Sequence, residues 1–180
     1  AINVTFKNRN VLKGFENFET GIRYTFEGVA SGAQVYRSEE LSASAALIFP
    51  QTLFPFNTGI KRSLNRYNPK TRITSSYTYI NRPDYYERGN LRGSFVYTWQ
   101  KGLYHFYSFS PIDISIVNTI RQYQLLKDNL DTWRENGNPL QYAFQRAYIS
   151  NINGFYTYND FFPGVNKHSK YFNFTAESGG

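Results

Sequence analysis

Residues Thr71 to Gln100 read TRITSSYTYINRPDYYERGNLRGSFVYTWQ, and both arms of this stretch alternate. On the first arm Ile73, Tyr77 and Tyr79 fall to one side, and Arg72, Thr74, Ser76 and Thr78 to the other. On the second, Leu91, Phe95, Tyr97 and Trp99 oppose Arg92, Ser94, Thr98 and Gln100. A period of two belongs to a pleated strand with two chemically different faces. Pro83 has no N–H to give to a ladder, so the chain must turn at Arg82-Pro83-Asp84-Tyr85-Tyr86-Glu87. The stretch is a hairpin with arms of about ten residues. Such arms are longer than an ordinary globular strand and close to the length that crosses a bilayer at a tilt.

The pattern continues in both directions. Ile2, Val4 and Phe6 alternate with Asn3, Thr5 and Lys7, and Phe18, Ile22, Tyr24 and Phe26 with Glu19, Arg23 and Glu27. Leu41, Ala43, Ala45, Leu47 and Phe49 oppose Glu40, Ser42 and Ser44, although their alanine spacing would also suit a helix. Gly28 to Arg37, through Ser31-Gly32, reads as a connection. Gln51 to Lys70 reads as a long irregular one, in which Leu53, Phe54 and Phe56 need apolar cover. After a tight turn at Lys101-Gly102, Phe106, Ile112, Ile114 and Ile116 oppose Asp113 and Ser115, with Pro111 predicting a bulge. Ile120, Tyr123, Leu126, Leu130 and Trp133 recur at spacings of three and four, which predicts one amphipathic helix from Ile120 to Trp133. Tyr148, Ile152, Tyr156 and Tyr158 mark the next strand. A turn from Asp160 to Lys170 follows, and Phe172, Phe174 and Ala176 against Asn173, Thr175 and Glu177 mark the last. The expectation is a single all-β domain over residues 1–180, an antiparallel up-and-down arrangement of about eight strands with one short helix in a loop.

Composition narrows the class. Aromatic residues make up 19% of the 180 residues and charged residues only 18%, a balance that favours strands and opposes disorder. The chain has no Cys, which removes disulfides, thiol nucleophiles and thiolate metal sites. It has no Met and opens directly into a strand, as expected of a processed chain or a piece of a larger one. No apolar run is long enough for a transmembrane helix, which leaves a transmembrane barrel open. The net charge of +7 suits phosphate-bearing partners, but no basic helix or compact RNA-binding motif accompanies it, so nucleic acid is not expected.

Alternation alone does not say which face meets water. A soluble barrel or sandwich binding a ligand inside would turn its apolar faces inward. A membrane barrel turns them to lipid and lines its lumen with polar residues. Long strands, Tyr and Trp near strand ends, and polar faces rich in Thr, Ser and Asn favour the second arrangement. Phe18, Tyr24, Phe26, Tyr77, Tyr79, Phe95, Tyr97, Trp99, Phe172 and Phe174 are then expected to face lipid. Glu19, Arg23, Glu27, Arg72, Arg92, Asp113 and Glu177 are expected to face the lumen.

Catalytic signals are weak. His105 and His168 are too few and too isolated for a metal site, and no cofactor is expected. An outer-membrane hydrolase would need His105 and Ser108 together, yet alternation sends them to opposite faces. Asp84 and Glu87 sit on a solvated tip with no reason for a shifted pKa. Asn3-Val4-Thr5 and Asn173-Phe174-Thr175 match a glycosylation pattern inside strands, where chance suffices.

Several short segments carry a resemblance. The strand followed by Asn8-Arg9-Asn10-Val11-Leu12-Lys13-Gly14 and a second strand resembles an element near the start of the barrel in the BamA/TamA outer-membrane assembly factors, the bacterial surface-antigen superfamily. Asn68-Pro69-Lys70-Thr71, Arg82-Pro83-Asp84-Tyr85, Ser110-Pro111-Ile112-Asp113 and Tyr171-Phe172-Asn173-Phe174 resemble the TamA-like branch. The resemblance implies an internal part, the second to ninth strands, of a barrel of about sixteen. It implies a role in inserting or exporting outer-membrane proteins and a place in the bacterial outer membrane. The partners it implies are outer-membrane lipid, the rest of the barrel, periplasmic POTRA repeats and client proteins. The family's Arg-Gly-aromatic loop motif has no counterpart, since Lys13-Gly14-Phe15 lies in a turn and Arg92-Gly93-Ser94 in a strand. The resemblance therefore implies wall rather than catalytic or gating machinery.

Overall fold

The computed structural model describes residues 1–13, 16–31, 34–53, 58–160 and 169–180. Eight strands follow one another: β1 (Ile2–Arg9), β2 (Asn17–Ser31), β3 (Gln34–Phe49), β4 (Lys70–Arg82), β5 (Tyr86–Lys101), β6 (His105–Gln122), β7 (Ala147–Asn159) and β8 (Tyr171–Gly179). They form one antiparallel sheet in sequence order, open, with β1 and β8 as its edges. Short helices interrupt the connections. They are α1 (Thr58–Leu64), which leads into a 3-10 turn at Asn65–Tyr67, and α2 (Gln124–Glu135), followed by a second 3-10 turn at Pro139–Phe144.

Turn chemistry fixes the hairpins. β4 and β5 meet through Pro83-Asp84-Tyr85, where Asp84 takes a φ of 69° and the Tyr85 N–H donates to the Arg82 carbonyl at 3.0 Å. Asp tolerates this left-handed conformation better than most residues. Gly102 does the same between β5 and β6, with φ 67°. The β1–β2 turn uses Asn10 and Lys13 at positive φ, and the Glu16 carboxylate accepts the Leu12 N–H across it.

The Ala-rich segment is the strand expected of it, since Leu41 to Phe49 pairs with Thr71 to Tyr79 on one side and with β2 on the other. Four expectations need correction. The connection from Gln51 to Lys70 is not wholly irregular, and α1 within it is a second helix beside the one expected. The connection expected from Gly28 to Arg37 is shorter, since β2 and β3 continue pairing to Ser31 and Gln34. The helix does not begin at Ile120. β6 runs on to Gln122, its Arg121 and Gln122 pairing with Glu87 and Tyr86, and an extended Tyr123 precedes α2. Ladder bonds to β5 thus override the helical spacing of side chains. Finally, Phe106 and Ile112 do not share a face. The bulge predicted at Pro111 lies between Ser110 and Asp113, and one additional residue there reverses the alternation.

The bulge is internally satisfied. Ser110, which is 2% exposed, donates its hydroxyl to the Phe95 carbonyl at 3.0 Å, with Ile112 O at 3.3 Å. The long β3–β4 connection folds back on the sheet: Thr71 Oγ1 donates to Gln51 O at 2.7 Å and accepts the Leu53 N–H at 3.1 Å. The Tyr97 hydroxyl reaches Leu53 O at 3.5 Å, and both Thr71 and Tyr97 are buried. The expected cover for Phe54 and Phe56 lies outside the described residues.

Candidate functional site

The two faces of the sheet are the chemistry on offer, and register aligns them. Directly paired residues share a face. One row runs Val4, Ile22, Ala43, Tyr77, Leu91, Ile116 and Tyr148 across seven strands without a charge. The adjacent row on the other face runs Asn3, Arg23, Ser42, Thr78, Asn90 and Val117. All ten aromatic candidates lie on the first face, and all seven charged candidates on the second.

The apolar face is uncovered except at Thr71 and Tyr97, over which the β3–β4 connection folds. Among the described residues, the buried hydrophobic side chains are Tyr97, Val117 and Leu126, whereas Phe6, Ile22, Phe26, Leu41, Ile112 and Phe174 are all exposed. Its composition is graded along the strands. The middle is largely aliphatic, with Ile22, Ala43, Leu91, Ile112, Ile114 and Ile152. Toward the β5–β6 turn a row of rings crosses four strands. Trp99 stacks on Tyr107 at 5.5 Å, Tyr107 meets Tyr156 at 5.0 Å, and Tyr156 meets Phe172 at 6.2 Å. His105 extends the row, its Nδ1 2.9 Å from the Tyr156 hydroxyl.

The polar face carries charge pairs. Arg92 makes a two-pronged contact with Asp113, Nε to Oδ1 at 2.9 Å and Nη2 to Oδ2 at 2.6 Å. Asp113 is nearly buried, which makes this the strongest ion pair of the face. Glu19 pairs not with Arg23 but with Lys7 on the neighbouring strand, at 3.0 Å. Lys7, not among the residues expected to face the lumen, is set opposite Glu19 by the β1–β2 register. Arg23, Glu27, Arg72 and Glu177 are in no ion pair among the described residues. Arg23 and Arg72 line a cavity of about 460 Å³ with Asn3, Thr5, Ser42 and Thr74. Phe106 and Phe155 add an apolar patch to this face, ring centroids 6.4 Å apart.

α2 closes over the far end of the polar face. Leu126, Trp133 and Phe144 enclose a cavity of about 530 Å³ together with Tyr86, Arg82 and Glu27. Phe144 meets both Tyr86 at 5.3 Å and Trp133 at 6.4 Å, so the apolar stripe of the helix is covered by the chain's own loop. On the hairpin tip Glu87 accepts the Tyr123 hydroxyl at 2.6 Å and pairs with Arg121 at 3.4 Å. That network ties the tip to the end of β6. His105 and Ser108 occupy opposite faces, paired with Lys101 and Thr98. Among the described residues no three metal-ligating side chains gather.

These observations define a class: an eight-stranded antiparallel meander with one apolar and one charged face, both open. Compared with protein-family models, characterised proteins and solved structures, the chain matches none.

Proposed function

We propose that the sheet is part of the wall of a transmembrane β-barrel in the bacterial outer membrane. The apolar face meets lipid, the charged face lines an aqueous lumen, and α2 caps one mouth. The observation that carries this reading is the apolar face, exposed through its middle from Val4 on β1 to Tyr148 on β7. Shielding it from water would require a second layer, and the described residues lay over it only part of the β3–β4 connection, at Thr71 and Tyr97. Strands of 13 to 18 residues from β2 to β7 are long enough to cross at a tilt. Two free edges call for further strands, so the barrel is larger than this sheet. The resemblance to BamA/TamA-like factors supplies the role, insertion or translocation of outer-membrane proteins by a non-enzymatic parent barrel.

Native absence of cysteine makes the test simple. Thr78→Cys and Tyr79→Cys place a thiol on opposite faces of one strand. After reconstitution in bilayers, a membrane-impermeant maleimide is expected to label Thr78→Cys and leave Tyr79→Cys unreacted, and both react once the chain is unfolded. A monodisperse monomer in detergent-free buffer, with Tyr79→Cys labelled in bilayers as readily as Thr78→Cys, would sink the proposal.

A further inference from the structure

The charge of the chain is not spread evenly over the sheet. The β1–β2, β3–β4, β5–β6 and β7–β8 connections all lie at one end, and the β2–β3, β4–β5 and β6–β7 connections at the other. Take each connection with the strand residue on either side of it. Among the described residues the first end holds Arg9, Lys13, Lys61, Arg62, Arg66, Lys70, Lys101 and Lys170 against Glu16 and Asp160. Eight positive less two negative leaves +6. The second end holds Arg82, Lys127, Arg134 and Arg146 against Asp84, Asp128, Asp131 and Glu135, four against four. Nearly all of the net charge of +7 therefore sits at one end.

None of the eight cations is in an ion pair among the described residues, and all but the half-buried Lys61 are exposed. Structural salt bridges thus do not account for them. The same end carries the row of rings from Trp99 to Phe172, and Lys101 lies over the Tyr67 ring at 6.0 Å. Aromatic rings next to an apolar band, with free cations beyond them, match the depth profile of a bilayer interface. We infer that this basic end seats in the headgroup layer of an anionic phospholipid leaflet, with α1 and its 3-10 extension lying against the phosphates. The cations are distributed over four connections. That spread suits separate monovalent phosphodiesters better than a single polyanion. The inference rests on the proposal that the apolar face meets lipid.

The test partitions the 180-residue chain onto vesicles of phosphatidylcholine alone and onto vesicles with added phosphatidylglycerol, at low and high salt. Lys61→Gln/Arg62→Gln/Arg66→Gln is expected to weaken partitioning onto the anionic vesicles by roughly 100-fold at low salt and to leave the neutral ones unchanged. The matched change at the other end, Lys127→Gln/Arg134→Gln/Arg146→Gln, is expected to leave both unchanged. High salt should erase the anionic preference. Insertion without any preference for phosphatidylglycerol, or equal losses from the two triple variants, would overturn the inference and leave the membrane reading standing. A larger effect on lipopolysaccharide aggregates than on phosphatidylglycerol would also overturn it. No insertion into either vesicle removes the membrane reading itself.

Discussion

At the scale of single residues, two positions carry more than their chemistry suggests. Ser110 fills the gap that Pro111 opens. Proline cannot donate, and the Ser110 hydroxyl supplies the bond to the Phe95 carbonyl. Ser110→Ala leaves that carbonyl unsatisfied in a buried place, and a loss of about 1–2 kcal/mol is expected in urea unfolding from detergent. An unchanged midpoint would show that the bulge holds without it. Gly89 and Gly93 give a matched pair on β5. A Cβ on Gly89 would meet the Tyr77 hydroxyl at 2.7 Å, whereas one on Gly93 finds only Thr74 O at 3.9 Å. Gly89→Ala displaces the ring that covers it and is expected to cost about 1 kcal/mol, while Gly93→Ala is expected to stabilise by about 0.5 kcal/mol. Equal effects in the same unfolding assay would contradict this. Pro111 and its bulge are legible in the sequence, whereas the roles of Ser110 and Gly89 are not. Both depend on a neighbour across the ladder, and nothing local marks them.

At the scale of elements, the β4–β5 hairpin behaves as its alternation predicts, and α2 does not begin where its spacing predicts. Side-chain period describes which residues would line a face if the backbone were helical. It does not describe whether the backbone N–H and C=O groups are already engaged. Those of Arg121 and Gln122 belong to β6, so the helix starts at Gln124, four residues after Ile120. What holds α2 is Leu126, 2% exposed, with Trp133 stacked on Phe144. Leu126→Ala is expected to cost about 2–3 kcal/mol of local stability. Hydrogen exchange should show α2 amides losing protection while those of β4 and β5 keep theirs. Loss of protection throughout the sheet would mean that α2 is part of one cooperative unit.

At the scale of the whole molecule, the sheet has a protected centre and two exposed margins. β3 to β6 are each bonded on both sides, while β1 and β8 have one neighbour and are exposed along their whole length. In detergent, amides of β3 to β6 are expected to outlast those of β1 and β8 by orders of magnitude in exchange. Comparable protection at β1 and β8 would show that the two edges find partners, either each other or a second copy.

The sequence by itself determined the two faces of the strands other than β6, the hairpin tip at Pro83, the turn at Gly102 and the bulge at Pro111, because period, proline and glycine act within a few residues. Only the tertiary structure decided how those faces align. Pairing is non-local, and one additional residue at Ser110-Pro111 was enough to send Phe106 to the opposite face from Ile112. The gathering of Arg9, Lys61, Lys101 and Lys170 at one end was hidden for the same reason. Residues far apart in sequence share an end only after seven antiparallel pairings bring their strands into order.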